Sequence, residues 1–195
     1  MTASVPVTTY SGSELHLHVS GSISASLVPW WINWLRFTTP DVVVNVSVSK
    51  RAAAFVSVEA VRTLANGEVW TDDWESPDLT HSWRDGQTGS SECIIVFPAT
   101  LDTVMRLAQG RTDSPSLMMM QITELPIVLA DVFPAANQVI EHWSDILLTR
   151  PNVAFAPRIE TPRADDRTLM SSGFNLPGAL AVANERIERG VGHRG

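Results

Sequence analysis

Two apolar runs that end alike constrain this chain more than any other feature. Cys93-Ile94-Ile95-Val96-Phe97 is followed by Pro98-Ala99-Thr100-Leu101-Asp102-Thr103, and Leu125 to Val132 is followed by Phe133-Pro134-Ala135-Ala136-Asn137-Gln138. Each run reads as a buried strand that stops at a Pro-Ala turn and delivers a hydroxyl, acid or amide side chain. Paired in one sheet, such strands would place those polar groups around one cleft. Open α/β sheets bind ligands there, outside the carboxyl ends of their strands.

The rest of the chain alternates in the same way. Leu15-His16-Leu17-His18-Val19 reads as a strand, followed by the small-residue loop Ser20 to Ser26 and a tryptophan-rich helix. Asp41 to Val48 is β-branched enough for a second strand, and helix formers then run from Lys50 to about Leu64. Gly67 to Gly89 reads as irregular. Helices are expected over Thr100–Gln109, stopped by Gly110, and over Asn137–Thr149, with a short strand at Val153–Phe155. Strands alternating with helices predict a parallel sheet covered on both faces, a three-layer α/β/α arrangement.

We divide the chain into a main domain over residues 13–157 and a C-terminal region over 158–195. Pro157, Pro162, Gly173, Pro177 and Gly178 punctuate that region. The stretch from Pro157 to Pro177 reads either as a flap over the cleft or as a disordered tail, with a short helix at Ala179–Arg189. The length of 195 residues suits one ordinary core. A net charge of −7 opposes a general electrostatic grip on nucleic acid or anionic lipid. No apolar run approaches the ~20 residues of a membrane helix, and Met1 to Ser13 does not read as a signal peptide. The cytoplasm is the expected location. The single Cys93 lies within an apolar run and reads as a packed thiol. No histidine pair has the spacing of a helical metal site, so no metal is expected.

Trp30, Trp31 and Trp34 surround a helix with apolar groups, which suggests that one face packs on the sheet and another meets a second subunit. Gly21-Ser22-Ile23-Ser24 lies between a strand and a helix, where backbone N–H groups and small hydroxyls can hold a phosphate. Ser49 is in the same position after the second strand, where a helix cap would need no ligand. His81, in Asp78-Leu79-Thr80-His81-Ser82-Trp83, is a lone histidine in an irregular segment. By residue type alone it reads as surface or structural. His16 and His18 read as packed or hydrogen-bonded strand residues, and Met118-Met119-Met120 as core filler.

These pieces, in this order, resemble the homo-oligomeric flavin-containing cysteine decarboxylases. The first loop of that family resembles Gly21 to Ala25, and its hydroxyl residue after the second strand resembles Ser49, with Ala53-Ala54-Phe55 beyond. Its catalytic-histidine segment resembles Trp74 to His81. Its Pro-Ala-Ser-Ala-Asn-Thr box resembles Pro98 to Thr103, its Gly-x-x-Asp-Asn resembles Gly110 to Ser114, and its Pro-x-Met-Asn box resembles Pro134 to Asn137. Asp102 and Ser114 stand where the family has Asn, Ala136 where it has Met, and Ile140-Glu141 where a Met-Trp pair closes the last box.

The resemblance implies a Rossmann-like, flavodoxin-like fold that binds FMN. Gly21, Ser22, Ser24, Ser49, Phe55, Pro98, Ala99, Thr100, Asp102 and Thr103 would contact the cofactor. His81 and Asn137 would be catalytic, with Asn137 and Ala136 contacting substrate. The implied reaction is oxidative decarboxylation of the C-terminal cysteine of a ribosomally made precursor peptide, giving an aminoenethiol for aminovinyl-cysteine formation. Dehydratase and cyclase enzymes would be partners, and the assembly would be a trimer or a dodecamer of trimers. Two other readings stay open: a phosphopantothenoylcysteine decarboxylase, and a flavin-fold regulatory or binding subunit without catalysis.

Overall fold

The computed structural model describes residues 8–77, 79, 90–133, 136–162 and 169–190. Six parallel strands form one sheet: β1 (Glu14–Val19), β2 (Val43–Ser49), β3 (Val69–Asp72), β4 (Cys93–Ala99), β5 (Ile127–Asp131) and β6 (Val153–Phe155). Their order is β3-β2-β1-β4-β5-β6, so the direction of winding reverses between β1 and β4. That reversal separates the two neighbouring loops at the carboxyl ends and opens a crevice there. The expected three-layer, Rossmann-like architecture is the one observed.

Apolar alternation assigns the two faces of the sheet. Leu15, Leu17, Val44, Val46, Ile95 and Phe97 point to one face, into a core completed by α1 (Val28–Thr38), α2 (Val58–Leu64) and the C-terminal helix. Ile94, Val96, Ile127 and Leu129 point to the other, against α3 (Leu101–Ala108), α4 (Pro115–Ile122) and α5 (Gln138–Leu148). The helix boundaries follow local chemistry. Thr100, Ser114 and Asn137 each cap a helix by accepting a hydrogen bond from a backbone N–H of the first turn, and Gly110 ends α3's exit with a positive φ of 72°.

Three elements differ from the sequence expectation. Val69–Asp72 is a strand rather than irregular chain, because Val46 and Ser49 of β2 provide an edge for it. The helix expected from Lys50 is broken into a 3-10 turn (Ala52–Ala54) and α2, with Ser57 capping the second piece. Met119 and Met120 do fill core, but from the additional helix α4, on which Met118 is only half-buried.

Beyond residue 157, β7 (Ile159–Pro162) and β8 (Leu169–Ser172) pair antiparallel apart from the main sheet. The final helix, α6 (Leu176–Glu188), returns to the sheet and buries Leu176, Ala179, Leu180 and Ala183 in the same core as β1. On α1, Val28, Ile32 and Leu35 are buried, whereas Trp30 is 58% and Phe37 87% exposed. Trp31 lies between these faces, edge-on to Phe97 and Phe174. Among the described residues, no helix is long and apolar enough to cross a membrane.

Candidate functional site

At the carboxyl ends of β1 to β4 lies a cleft of about 300 Å³. Its lining includes Gly21, Ser49, Thr100, Asp102 and Thr103, which the sequence assigns to a cofactor, together with His18, Asp72, Arg106 and Asp113, which it does not. The β1 and β4 loops are joined through Ser20. Its Oγ donates to the Pro98 carbonyl at 2.7 Å and accepts from Thr100 N at 2.9 Å. The Thr100 and Thr103 hydroxyls are 3.1 Å apart. This brings Thr100, although 80 residues distant in sequence, beside the glycine loop.

Gly21 is required by a close approach. A Cβ there would lie 2.4 Å from Arg51 Cβ, so only glycine lets the β1 loop lie against the turn after β2. Ser22 begins the 3-10 turn Ile23–Leu27, and its buried Oγ has no hydrogen-bond partner among the described residues. Ser49 Oγ accepts from Ala52 N at 3.1 Å and so caps the second 3-10 turn. Backbone N–H groups at two turn starts and the adjacent Lys50 and Arg51 suit a phosphate. Ser24 lies farther along the first 3-10 turn, and Phe55, 43% exposed, ends the second; these two and Ser22 do not line the cleft. Pro98 and Ala99 are buried within β4 and shape it from beneath.

Charge in the cleft is arranged as a relay of ion pairs. Arg106 lies 3.5 Å from Asp102 and 2.8 Å from Asp113, which also meets Arg111 at 2.5 Å. Partial burial raises the pKa of Asp113, but hydrogen bonds from Arg106, its own backbone and Arg111 outweigh it and hold the carboxyl below its usual range. Asp102, the acid found in place of the family Asn, therefore faces a guanidinium rather than standing as a lone charge. Lys50 and Asp73 pair across the rim at 2.7 Å.

The chain leaving β5 runs beside the first Pro-Ala turn, with Val132 N donating to the Ala99 carbonyl at 3.1 Å. Among the described residues, Thr100, Asp102 and Thr103 line this cleft and Ala136 lines another hollow, rather than the single cleft expected from sequence. Ala136 lines an apolar hollow over β5 and β6 with Phe133, Ile140, Leu148 and Phe155. At its base Asp131, 2% exposed at its side chain, pairs with Arg158 at the start of the β7–β8 segment. Asn137 is exposed at the start of α5. Its Oδ1 accepts from Val139 N and Ile140 N, both at 3.0 Å, which leaves its amide N–H groups available as donors. His81, Pro134 and Ala135 lie outside the described residues.

The reversal point, phosphate-suited loops and hydroxyl-lined floor define a nucleotide-type α/β site. Residues 4–150 match the Flavoprotein family, and the chain belongs to it. It is 57% identical over 181 residues to the cypemycin cysteine dehydrogenase (decarboxylating) of a Streptomyces species, an alignment covering 93% of this chain and 95% of that one. The crystal structure of the cypemycin decarboxylase CypD superposes with a TM-score of 0.85 at 55% identity, covering 95% of this chain and 99% of that one. The FMN-dependent cysteine decarboxylase TvaF of thioviridamide biosynthesis superposes with a TM-score of 0.63 at 26% identity, covering 72% and 88%.

Proposed function

We propose that this chain is an FMN-dependent decarboxylase acting on the C-terminal cysteine of a ribosomally made precursor peptide. The observation that carries this reading is the 57% identity, along 93% of the chain, to an enzyme that oxidises and decarboxylates cysteine. The cleft suits the cofactor, because Thr100 and Thr103 line it with hydroxyls that can partner a polyol chain, and the unpartnered Ser22 Oγ belongs to the residue that follows its Gly21.

FMN, when bound, would supply the two-electron acceptor for oxidation of the cysteine Cβ–S unit to a thioaldehyde, from which carbon dioxide could leave with the charge delocalised onto sulfur. The protein's residues orient the peptide and move its protons. His81 takes the thiol proton, as the side chain that titrates near neutrality. Asn137 holds the terminal carboxylate with the amide N–H groups that its capping bonds leave unused. Arg106 balances Asp102, so that the acid does not oppose negative charge developing in the cleft.

The stretch from Pro157 to Pro177 is assigned as the substrate flap, tethered at Arg158 by its pair with Asp131. The exposed Trp30 and Phe37 are assigned to subunit contacts in a homo-oligomer, a trimer or a dodecamer of trimers. The enzyme would work in the cytoplasm beside the dehydratase and cyclase that process the same peptide.

The test is the anaerobic visible spectrum of the FMN-loaded protein with peptides ending in a free cysteine. Bleaching of the flavin band, absent in His81→Asn, is the expected result. A flavin that stays oxidised with every such peptide would refute the reaction and favour a binding or regulatory role.

A further inference from the structure

In a sheet covered on both faces, strands ordinarily carry apolar residues throughout. Here β1 and β2 do so on one face only. Opposite Leu15, Leu17, Val44 and Val46 lie His16, His18, Asn45 and Ser47, all four buried. The hub of this polar inlay is Ser47. Its Oγ is 2.9 Å from His16 Nε2, 2.9 Å from His18 Nδ1, and accepts from Ser116 Oγ at 3.0 Å.

One hydroxyl has a single proton and two lone pairs. With Ser116 donating, Ser47 gives its proton to one imidazole and accepts from the other. The two rings therefore present opposite faces of their tautomers to Ser47. Burial lowers the pKa of both histidines. For His16 the neighbouring His18 adds to this, whereas for His18 Asp72 opposes it and Arg106 reinforces it. His16 also stacks on Trp70, with centroids 5.0 Å apart.

His18 differs from His16 in reaching the cofactor cleft, where it lies among Gly21, Ser49 and Thr100. The residue is only 2% exposed, yet its Nε2 makes no hydrogen bond among the described residues. An imidazole held at one nitrogen and without a hydrogen bond at the other among the described residues, at the wall of a cleft, is poised for a ligand there.

We propose that His18 contacts the cofactor, its Nε2 forming a hydrogen bond with the ribityl-phosphate part of bound FMN, and that Ser47, His16 and Ser116 are positioning residues that fix its ring and tautomer. The ribityl-phosphate part is chosen because Gly21 and Ser49, the neighbours of His18 in the cleft, belong to the two anion-suited turns. The inference rests on FMN as the ligand.

The test compares FMN affinity, read by quenching of flavin fluorescence, in the wild type, His18→Asn and His18→Gln. An Asn amide reaches the Nδ1 position and a Gln amide the Nε2 position. His18→Asn should weaken FMN binding about tenfold while the melting temperature of the FMN-free protein stays within about 2 °C. His18→Gln should recover most of the lost affinity. In the wild type, FMN should shift the His18 Nε2 signal in the solid-state ¹⁵N spectrum, and Ser47→Ala should change the His18 tautomer ratio. Wild-type FMN affinity in a folded His18→Asn protein, or a His18 Nε2 signal unmoved by FMN, would overturn the assignment. If His18→Asn does not fold, the wild-type ¹⁵N titration decides alone. A wild type that binds no FMN would instead overturn the cofactor reading beneath it.

Discussion

Asn137 has two duties that substitution can separate. Its Oδ1 caps α5 by accepting from Val139 N and Ile140 N, both at 3.0 Å, and the proposed catalytic work falls to its Nδ2 amide. Asn137→Ala removes both. Loss of such a cap costs about 1 kcal/mol, which for a chain of this size lowers the melting temperature by about 2–4 °C. Asn137→Asp keeps the cap acceptor and loses only the donor. Its charge gains roughly 0.3–1 kcal/mol at a helix N-terminus, and repulsion from Glu141, in the same first turn, returns roughly 0.2–0.5 kcal/mol. The net change lies between about −0.2 and +0.8 kcal/mol, which moves the melting temperature by at most about 3 °C.

Activity should behave differently. A hydrogen bond to a charged group contributes roughly 1.5–3 kcal/mol, so losing the donor to the substrate carboxylate should lower kcat/KM about 10- to 150-fold. The aspartate adds repulsion and should be the worse enzyme of the two. Calorimetry together with initial rates of peptide decarboxylation tests both halves. An Asn137→Asp protein with wild-type turnover would show that the residue is a helix cap and nothing more.

The other predictions are simpler. Ser22→Ala should leave the FMN-free protein as stable as wild type and weaken FMN binding severalfold by titration, since its Oγ has no partner among the described residues. Gly21→Ala should abolish FMN binding, because the new Cβ would meet Arg51 Cβ at 2.4 Å and push the two loops apart; ordinary affinity would refute the close approach. Cys93 should resist alkylation until the protein unfolds, since it is fully buried and burial pushes its thiol pKa well up.

The sheet was largely legible because its evidence is local. β-branched runs and Pro-Ala turns marked β1, β2, β4, β5 and β6 to within about two residues, and capping hydroxyls and amides marked the starts of α3 and α5. β3 was not legible. Four residues containing a tryptophan and an aspartate have no period to read, and what makes them a strand is the edge of β2 and the stacking of Trp70 on His16, 54 positions away. The cofactor cleft was half legible. Residues with a motif were found, but Ser20 and Asp72 matter through partners distant in sequence. The two histidines of β1 are packed and hydrogen-bonded, as their place in a strand suggests, although alternation alone would not say so. Polar residues at every second position ordinarily mark a solvent face, whereas His16 and His18 are buried against Ser47.

That buried pair has a consequence for stability against pH. Both histidines have folded-state pKa values below the ordinary 6.5, chiefly because burial disfavours the charged ring. The unfolded chain therefore binds more protons than the native one at pH values between the folded and unfolded pKa. Stability rises with pH across that interval and is level above it, so the contribution is present above about 6.5 and is lost as the pH falls. The slope is at most about 1.4 kcal/mol per pH unit for each histidine. Replacing His16 by Gln removes one titrating ring while leaving an amide to meet Ser47, and should reduce the proton uptake on unfolding between pH 5 and 6 (roughly the region just below the unfolded pKa) by up to about one proton. Denaturant midpoints measured across that range, with wild type beside the variant, give the slope directly. If the two slopes coincide, His16 is protonated to the same extent folded and unfolded, and the neutral hydrogen-bonded network around Ser47 cannot be its native state.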